Sequence, residues 1–146
     1  MATYSFLDVT ASLTGPTGVI DLGQGSANSE EGITQTMGGN KNTMTIGADG
    51  EVMHSLHADK SGTITVTLLK ASPVNKKLSL AYNAQSQSSA TWGNNVIVIR
   101  NTASGDISTA RSCAFQKQPD FNNAKEGGTV AWVFDCGKID QLLGEF

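Results

Sequence analysis

The side chains with the greatest chemical capacity in this chain are two histidines and two cysteines. His54 and His57 are three residues apart in a segment that alternates like a strand, so they point to opposite faces and cannot share a metal ion. Cys113 and Cys136 lack the paired close spacing of a zinc site. We interpret the histidines as exposed polar residues and the cysteines as reduced, buried thiols, with a disulfide between neighbouring strands as the alternative. No metal or cofactor is predicted.

Sequence patterns of enzymes and nucleotide-binding proteins are incomplete in this chain. Gly23 and Gly25 could begin a phosphate-binding loop, but no third glycine falls in place, no Gly-Lys-Ser/Thr follows and no helix is expected there. Serine, histidine and aspartate all occur, yet they form neither a Gly-x-Ser-x-Gly nucleophile elbow nor a His-Glu-x-x-His zinc motif. The sequence therefore predicts a protein that is not an enzyme.

Composition favours a single β-rich domain over residues 1–146. Serine and threonine supply 29 of the 146 residues and glycine 16, which suits short strands joined by tight turns. The net charge is −3 and the ten basic residues are scattered, so no electrostatic footprint for tight nucleic-acid binding is present. No apolar run approaches the ~20 residues that span a bilayer, and no basic region precedes an apolar core at the N-terminus. We expect a soluble protein that is not exported and does not insert into membranes.

The most regular stretch joins a strand directly to a helix. From Gly62 to Lys70, apolar residues alternate with threonines, which is the period of a half-buried strand. The apolar positions are Ile64, Val66 and Leu68, and the threonines are Thr63, Thr65 and Thr67. Ser72 then occupies the N-cap position and Pro73 the first helical position. The apolar stripe that follows consists of Val74, Leu78, Ala81 and Tyr82, and it predicts a helix over residues 73–85.

The other regular segments are short strands separated by turn residues, among which Asp49-Gly50 is the strongest hairpin signal. The predicted strands cover residues 4–13, 19–22, 43–46, 51–57, 96–99, 107–117 and 129–136. The three strands between residues 43 and 70 are expected to meander into the helix. Strict alternation places Arg111, Cys113 and Phe115 on one face of their strand. We predict a mainly β fold, a barrel-like β-sandwich of short antiparallel strands with one flanking α-helix.

Two segments depart from this pattern. Residues 23–40 are rich in glycine and polar residues and hold little that could pack a core, so a long loop is expected. The tail, residues 137–146, carries four large apolar side chains after the last predicted strand. These are Ile139, Leu142, Leu143 and Phe146. Such a tail covers the end of its own barrel or docks on another subunit, and both alternatives are open at this point.

Three stretches carry a resemblance to a known family. They are Tyr4-Ser-Phe-Leu-Asp-Val-Thr-Ala-Ser-Leu, Asp59-Lys-Ser-Gly-Thr-Ile-Thr-Val-Thr-Leu-Leu and Ser72-Pro-Val-Asn. With these stretches and the order of strands and helix, nearly the whole chain resembles the tail tube proteins of contractile-tailed bacteriophages. The resemblance implies a structural virion protein that self-assembles as a homo-hexamer. Stacked hexameric rings would form the inner tail tube, the conduit for phage DNA during ejection.

The resemblance also implies partners and a location. The expected partners are the tail sheath, baseplate and tail-terminator proteins, together with transient, non-specific passage of DNA. The expected location is the tail tube of the virion, and the host cytoplasm during assembly. Tube proteins of phage-tail-like bacteriocins and of secretion systems share the fold and are alternatives. A small-molecule-binding β-barrel is a further alternative, although nine aromatic residues are few to line its mouth.

Under this resemblance, contacts between subunits are assigned to the polar segment, the start of the helix and the tail. The predicted contact residues are Ser26, Asn28, Glu30, Glu31, Ile33, Lys76, Lys77, Ile139, Leu142, Leu143 and Phe146. The two lysines lie near the end of the helix where the dipole disfavours positive charge. We therefore expect one of them to pair with an acidic residue of a neighbouring subunit, Glu30 or Glu31, the alternative being a solvated face.

A conduit through which DNA passes should not bind the DNA tightly. DNA carries one negative charge per ~1.7 Å of its axis, so a lysine-rich lining would bind it at many points. We therefore predict a lumen lined mainly by threonine, serine, asparagine and acidic residues. The candidate lumen-facing residues are Thr63, Thr65 and Thr67.

Overall fold

Nine strands and one α-helix form the fold over residues 2–146, the part of the chain that this computed structural model describes. The strands are β1 (Val9–Gly15), β2 (Gly18–Asp21), β3 (Asn28–Met37), β4 (Asn42–Ile46), β5 (Val52–Leu56), β6 (Gly62–Leu69), β7 (Asn95–Asn101), β8 (Asp106–Phe115) and β9 (Thr129–Leu142). The helix α1 spans Val74–Gln85. A 3₁₀ turn over Phe6–Asp8 precedes β1, so the first strand begins at Val9 and the prediction that it begins at Tyr4 is wrong.

Seven of the strands form one antiparallel sheet in the order β2-β1-β7-β8-β9-β6-β3. This sheet curls strongly. Gln35 on β3 donates a hydrogen bond of 2.7 Å to Gln141 on β9 and accepts one from Ser108 on β8, although two strands separate β3 from β8 in the sheet. A flat sheet would hold β3 and β8 about 14 Å apart, at ~4.8 Å per strand. The predicted barrel-like β fold with one flanking helix is confirmed, in the form of a half-barrel.

The core fills the inside of the curl, between the sheet and α1. The three alternating apolar side chains of β6, Ile64, Val66 and Leu68, are fully buried, as their alternation predicts. Phe115 lies at the centre of an aromatic cluster, with the ring centroids of Phe134, Tyr82 and Trp132 at 4.9, 5.6 and 5.9 Å. Each such pair adds ~0.5–1.5 kcal/mol beyond the burial of its surface. The cluster therefore joins α1 to the middle of the sheet.

The start of the helix is fixed by Ser72. Its hydroxyl oxygen accepts the N–H of Val74 at 3.2 Å, and the hydroxyl donates to the carbonyl oxygen of Ser26 at 2.6 Å. Pro73 already has helical dihedrals, with φ of −68°. The helix itself begins at Val74, so Pro73 rather than Ser72 occupies the N-cap position and the predicted start at residue 73 is one residue early. The predicted end at residue 85 is confirmed.

A buried pair of amides fixes the other end of the helix. Gln85 donates to the side-chain oxygen of Asn95 at 2.9 Å, and Asn95 donates back at 2.7 Å. The same two amides reach Thr17 in the β1–β2 turn and the carbonyl oxygen of Cys113 on β8, both at 3.1 Å. Because both side chains are fully buried, every one of these hydrogen bonds replaces water that the core excludes.

β8 and β9 change their buried face halfway along. Ala110 and Cys113 are both buried in β8, although strict alternation would put them on opposite faces. Ser112 between them adopts a φ of +54°, and a Cβ on Gly137 of β9 would lie 3.2 Å from the Cβ of Ser112. The prediction that Arg111 shares the face of Cys113 is therefore wrong, and Arg111 is exposed.

The expectation of a long loop over residues 23–40 is wrong. Residues 28–37 form β3, which pairs with β6 along the edge of the sheet, with Thr36 opposite Thr63. An irregularity between Asn28 and Ile33, with Gly32 at a φ of +60°, interrupts the ladder. Since an edge strand can be held by backbone hydrogen bonds while most of its side chains stay in solvent, it shows little apolar alternation.

The tail also belongs to the sheet. β9 continues through Leu142, and Ile139 is buried opposite Ala110. Beyond the strand, the N–H of Glu145 donates to the carbonyl oxygen of Ser104 at 3.0 Å. The last strand therefore does not end at residue 136 as predicted. The tail covers its own subunit only through Ile139, whereas Leu142, Leu143 and Phe146 stay exposed, so both alternatives for the tail remain open for these three residues.

The hairpin of β4 and β5 forms around Asp49-Gly50 as predicted, but not in the predicted place. The two strands make a separate two-stranded sheet, and β5 does not pair with β6. The expected meander of three strands into the helix is wrong. The polar connections over residues 38–41 and 57–61 separate the hairpin from the half-barrel.

We expect Asn95→Ala to lower the free energy of unfolding by about 2–4 kcal/mol, because it leaves the buried amide of Gln85 without its partner. Urea denaturation of the purified chain measures this. Asn94→Ala is the matched control, since Asn94 is exposed and its substitution should change stability by less than ~0.5 kcal/mol. Combining Asn95→Ala with Gln85→Ala should cost less than the sum of the two single changes, and strict additivity would contradict the coupling.

Candidate assembly surface

The two histidines lie apart from each other and from the two cysteines. His54 Nδ1 lies 3.2 Å from the amide nitrogen of Asn42, and His57 Nε2 lies 2.7 Å from Thr43 Oγ1, on opposite faces of the hairpin. The histidines are exposed and the two cysteines are buried, free thiols, as interpreted from the sequence. Over residues 2–146 no three His, Cys, Asp or Glu side chains are grouped to bind a metal. In the same residues, no helix has the length and apolar character of a membrane span.

Exposed apolar side chains are concentrated on the hairpin of β4 and β5. Every residue of β4 is exposed, and five large apolar side chains of the hairpin retain between 51% and 88% of their accessible surface. These are Met44, Ile46, Val52, Met53 and Leu56. An isolated two-stranded hairpin is marginally stable in water, so this one needs a surface to pack on.

The apolar residues of the hairpin are not evenly distributed. In the strand register Ile46 lies opposite Val52, Met44 opposite His54, and Leu56 opposite Asn42, so four apolar side chains share one face. The other face carries Thr43, Thr45, Met53 and Ser55. The hairpin is therefore amphipathic, with an apolar face that no other element of the described chain covers.

An open cleft lies beside β3 and the C-terminal end of the chain. Its volume is about 520 Å³, and it brings together four of the predicted contact residues. These are Glu30, Glu31, Ile33 and Leu143. The apolar lining includes Tyr4, Phe6 and Ile99. The cleft thus combines an apolar wall with two carboxylates at the free edge of β3.

The remaining predicted contact residues fall into two groups. Lys76 and Lys77 are exposed on the first turns of α1, and Leu142 and Phe146 are exposed in the tail. Three others are turned inward, wholly or in part: Ser26 and Ile139 are buried within the subunit, and Asn28 is half-buried and donates to the carbonyl oxygen of Leu22 at 3.0 Å. The exposed group is accessible to a neighbouring subunit, whereas the buried pair has little surface left for a contact.

The charged contact candidates have no ion-pair partner inside the subunit. Over residues 2–146 both intrachain ion pairs involve Asp140, at 3.8 Å from Lys60 and 3.7 Å from Arg111. Glu31 instead accepts a hydrogen bond of 2.5 Å from the Ser29 hydroxyl, which lowers the pKa of its carboxyl group. Glu31 therefore stays ionised at neutral pH and below.

The threonines of β6 lie on the face of the sheet opposite the core, in rows that cross several strands. One row runs through Thr36, Thr63, Asp135 and Ala114, and a second through Thr34, Thr65 and Val133. The only charged residue in these rows is Asp135. On the β6 side of the irregularity at Ser112 and Gly137, these rows therefore carry mainly small, polar side chains and no lysine or arginine. Beyond this irregularity, Arg111 and Lys138 are exposed.

A curled β-rich subunit with an uncovered apolar hairpin suits a building block of a larger assembly. A family model described as the bacteriophage PhiTE tail tube protein matches residues 1–144. The chain belongs to this family of phage tail tube proteins. As a tail tube protein, it is a component of a virion or of a tail-like particle. No curated protein sequence gives a significant match.

Solved structures share the fold of this tail tube protein at low identity. A chain in the sheath–tube complex of the extracellular contractile injection system PVC, in the extended state, aligns with a TM-score of 0.62, 10% identity, and coverage of 97% of this chain and 92% of that chain. A chain in the structure of the PVC sheath/tube terminator aligns with a TM-score of 0.62 and 10% identity, and the alignment covers 97% of this chain and 98% of that chain. A chain in the tube-terminating cap of the anti-feeding prophage aligns with a TM-score of 0.55 and 10% identity, and the alignment covers 99% of this chain and 95% of that chain. The likeness shows a common fold.

The sequence did not single out the hairpin as a contact of this tail tube protein. The signal was present, since residues 44, 46, 52 and 56 alternate in the register set by Asp49-Gly50. Such alternation predicts one covered face but not which molecule covers it. The cleft beside β3 was partly anticipated, because Glu30, Glu31, Ile33 and Leu143 were all predicted as contacts, although from a supposed loop and tail.

We expect Val52→Lys, on the apolar face of the hairpin, to raise the subunit concentration needed for tube growth by about tenfold or more. Covering an unpaired ammonium group costs several kcal/mol. Thr45→Lys is the matched control, because it adds the same charge to the other face of the same hairpin. Sedimentation of assembled from free protein measures both. Equal effects of the two substitutions would show that the apolar face is not the contact.

Proposed function

We propose that this tail tube protein self-assembles into stacked hexameric rings that form the inner tube of a contractile tail and conduct phage DNA during ejection. The observation that carries this proposal is the open sheet. β2 and β3 each have one paired side only, so the half-barrel ends in two free edges with unpaired N–H and C=O groups. Free edges favour pairing with another chain.

Lateral closure of a ring follows from these two edges. Pairing the β3 edge of one subunit with the β2 side of the next is a head-to-tail contact, and such contacts generate a closed ring when the rotation between subunits divides the circle. The irregularity in β3 restricts this pairing to part of the strand and so helps to set its register. Six subunits are the number that the family resemblance implies.

Charge favours the same neighbour contact. Glu30 and Glu31 are exposed at the free edge of β3, and Lys76 and Lys77 are exposed on α1. An exposed ion pair contributes only ~0.2–1 kcal/mol, but every subunit of a ring repeats it. The pairs therefore select the neighbour's orientation more than they provide the affinity.

Stacking of rings is assigned to the hairpin. Its uncovered apolar face fits the open cleft beside β3, where Ile33, Ile99 and Leu143 offer apolar surface. We propose that the occupant of the cleft is the hairpin of a second copy in the next ring. The exposed Leu142, Leu143 and Phe146 of the tail extend this apolar surface.

The bore is assigned to the outer face of β8, β9, β6 and β3. These four strands of each subunit would form the inner wall, while the curl would carry β7, β1 and β2 outward to the contact with the neighbour. Six subunits then give about 24 wall strands, and with ~4.8 Å spacing and ~45° tilt the backbone diameter of the wall is near ~50 Å. Inward side chains reduce this to a bore of roughly 40 Å. The threonine rows, with Asp135 as their charged member, would give a neutral to acidic wall that does not retain DNA.

The role is structural rather than enzymatic, and it defines the surroundings of the protein. The tube would contact the sheath, the baseplate and the tail terminator, and assemble in the host cytoplasm before joining the virion. The neighbours with a shared fold come from a sheath–tube complex, a terminator and a cap, which supports this set of partners. A tube of a phage-tail-like bacteriocin or a secretion system is the second candidate, because those tubes share the fold.

A three-dimensional reconstruction of tubes grown from the purified chain tests the proposal. We expect sixfold rings, hairpins between successive rings, and Thr63, Thr65 and Thr67 facing a bore wide enough for duplex DNA. A bore dominated by lysine and arginine, or one too narrow for a duplex, would contradict the DNA conduit while leaving a tube intact. A subunit that stays monomeric at all concentrations would contradict the assembly itself.

The neighbour contact is tested by exchange of charge. Lys76→Glu with Lys77→Glu should reduce the yield of tubes severalfold without changing the unfolding of the subunit, because all four charged side chains are exposed. Adding Glu30→Lys and Glu31→Lys to the same chain should restore the yield. The control, Lys117→Glu with Lys125→Glu, changes the net charge equally at exposed positions. Failure of the fourfold variant to recover, or an equal loss in the control, would refute the pairing.

A further inference from the structure

The only two cysteines of the chain meet in the core. Cys113 of β8 and Cys136 of β9 are register partners, and their sulfur atoms are 3.1 Å apart. Directly opposed residues of antiparallel strands have Cα atoms ~4.5–5.5 Å apart, which lies inside the ~4.4–6.8 Å range of disulfides. The backbone is therefore already placed for a covalent bond between the two sulfur atoms.

The two thiols are not equivalent. The Cys113 S–H donates to the sulfur of Cys136, and this hydrogen bond lowers the pKa of Cys136. The same hydrogen bond, together with burial, raises the pKa of Cys113. Cys136 is thus the thiol that ionises first and acts as the nucleophile in exchange with a disulfide.

Both cysteines are buried, so a reagent reaches the pair only when β8 and β9 separate locally. Ser112, with its left-handed φ of +54°, and Gly137 flank the two cysteines at the point where β8 and β9 change their buried face. Residues without bulky side chains at a bend in the ladder let the strands separate locally without unfolding of the sheet. Opening at this bend exposes Cys136 before the rest of the core.

We propose that Cys113 and Cys136 form a latent cross-strand disulfide, which closes when the protein leaves a reducing compartment. The oxidant is a small disulfide such as oxidised glutathione. The Cys136 thiolate attacks one of its sulfur atoms and releases a first glutathione thiolate. Cys113 then loses its proton and attacks Sγ of Cys136, which releases the second. Two protein thiols are oxidised, one glutathione disulfide is reduced, and the two protons pass to the departing thiolates.

The disulfide would join the two central strands at their bend. It closes a loop between residues that are 23 positions apart, which restricts the unfolded chain. For a chain of this length we expect the melting temperature to rise by about 10 °C. The bond would stabilise each subunit of a particle that must persist outside the cell, and its formation in the purified subunit does not depend on tube assembly.

Incubation of the purified, folded chain in glutathione buffers of increasing oxidising ratio tests the proposal. We expect the intact mass to fall by two hydrogen atoms, the peptides holding Cys113 and Cys136 to be joined, and neither cysteine to react with an alkylating reagent after unfolding. The oxidised chain should melt about 10 °C above the reduced chain, and dithiothreitol should reverse the difference.

Cys113→Ser and Cys136→Ser are the controls, since neither variant can close the bond and neither should show an oxidant-dependent melting shift. The wild-type chain decides the outcome even where a variant folds poorly. Both thiols remaining free in the most oxidising buffer, arrest at a mixed disulfide with glutathione, or bonds only between chains would each overturn the proposal. An oxidised chain that melts no higher than the reduced one would overturn the stabilising role.

Discussion

The half-barrel depends on two central strands that support both halves of the curl. β8 and β9 place Phe115 and Phe134 in the core on one side of the bend, and Ala110 and Ile139 in the same core on the other. Strict alternation across the whole length would turn one of these sets to solvent, because a shift of one residue exchanges the faces of a strand. The irregularity at Ser112, opposite Gly137, removes that conflict. This irregularity lets both halves of β8 and β9 face one core, on which α1 packs, while the threonines of β6 lie on the opposite face of the sheet.

The segments predicted best from the sequence are those whose structure is set by residues close to one another in the chain. β6 and α1 were anticipated nearly to the residue, because alternation, the Ser72 cap and Pro73 act over a few positions. β3 was not anticipated, because an edge strand held by its backbone needs few apolar side chains. The extension of β9 was missed for a different reason. Its apolar period shifts at the bend, and only the pairing of Ile139 with Ala110 shows why.

The residues of the proposed assembly surface were named in part from the sequence, but their arrangement was not predicted. Glu30, Glu31 and Leu143 were all expected to meet a neighbour, yet their common cleft exists only because the curled sheet brings β3 over the end of β9. Conversely, β4 and β5 were expected to form a meander with β6, and they form a separate sheet. Alternation in a sequence predicts that one face of a strand is buried, but it does not predict whether the same subunit or another molecule buries it. The expectation that this subunit contacts other copies of itself came from the family resemblance and not from local sequence patterns.

The two free edges of the sheet have a consequence for how growth begins. A lone subunit leaves two rows of backbone groups and one apolar face unsatisfied, and each added neighbour satisfies one edge while exposing another. In the ring proposed above, only the last subunit to join would remove both edges at once, so closure would be cooperative and incomplete rings would be disfavoured. Initiation would then be the slow step of this proposed assembly, and a pre-formed platform of the same symmetry would set both the place and the time at which polymerisation starts.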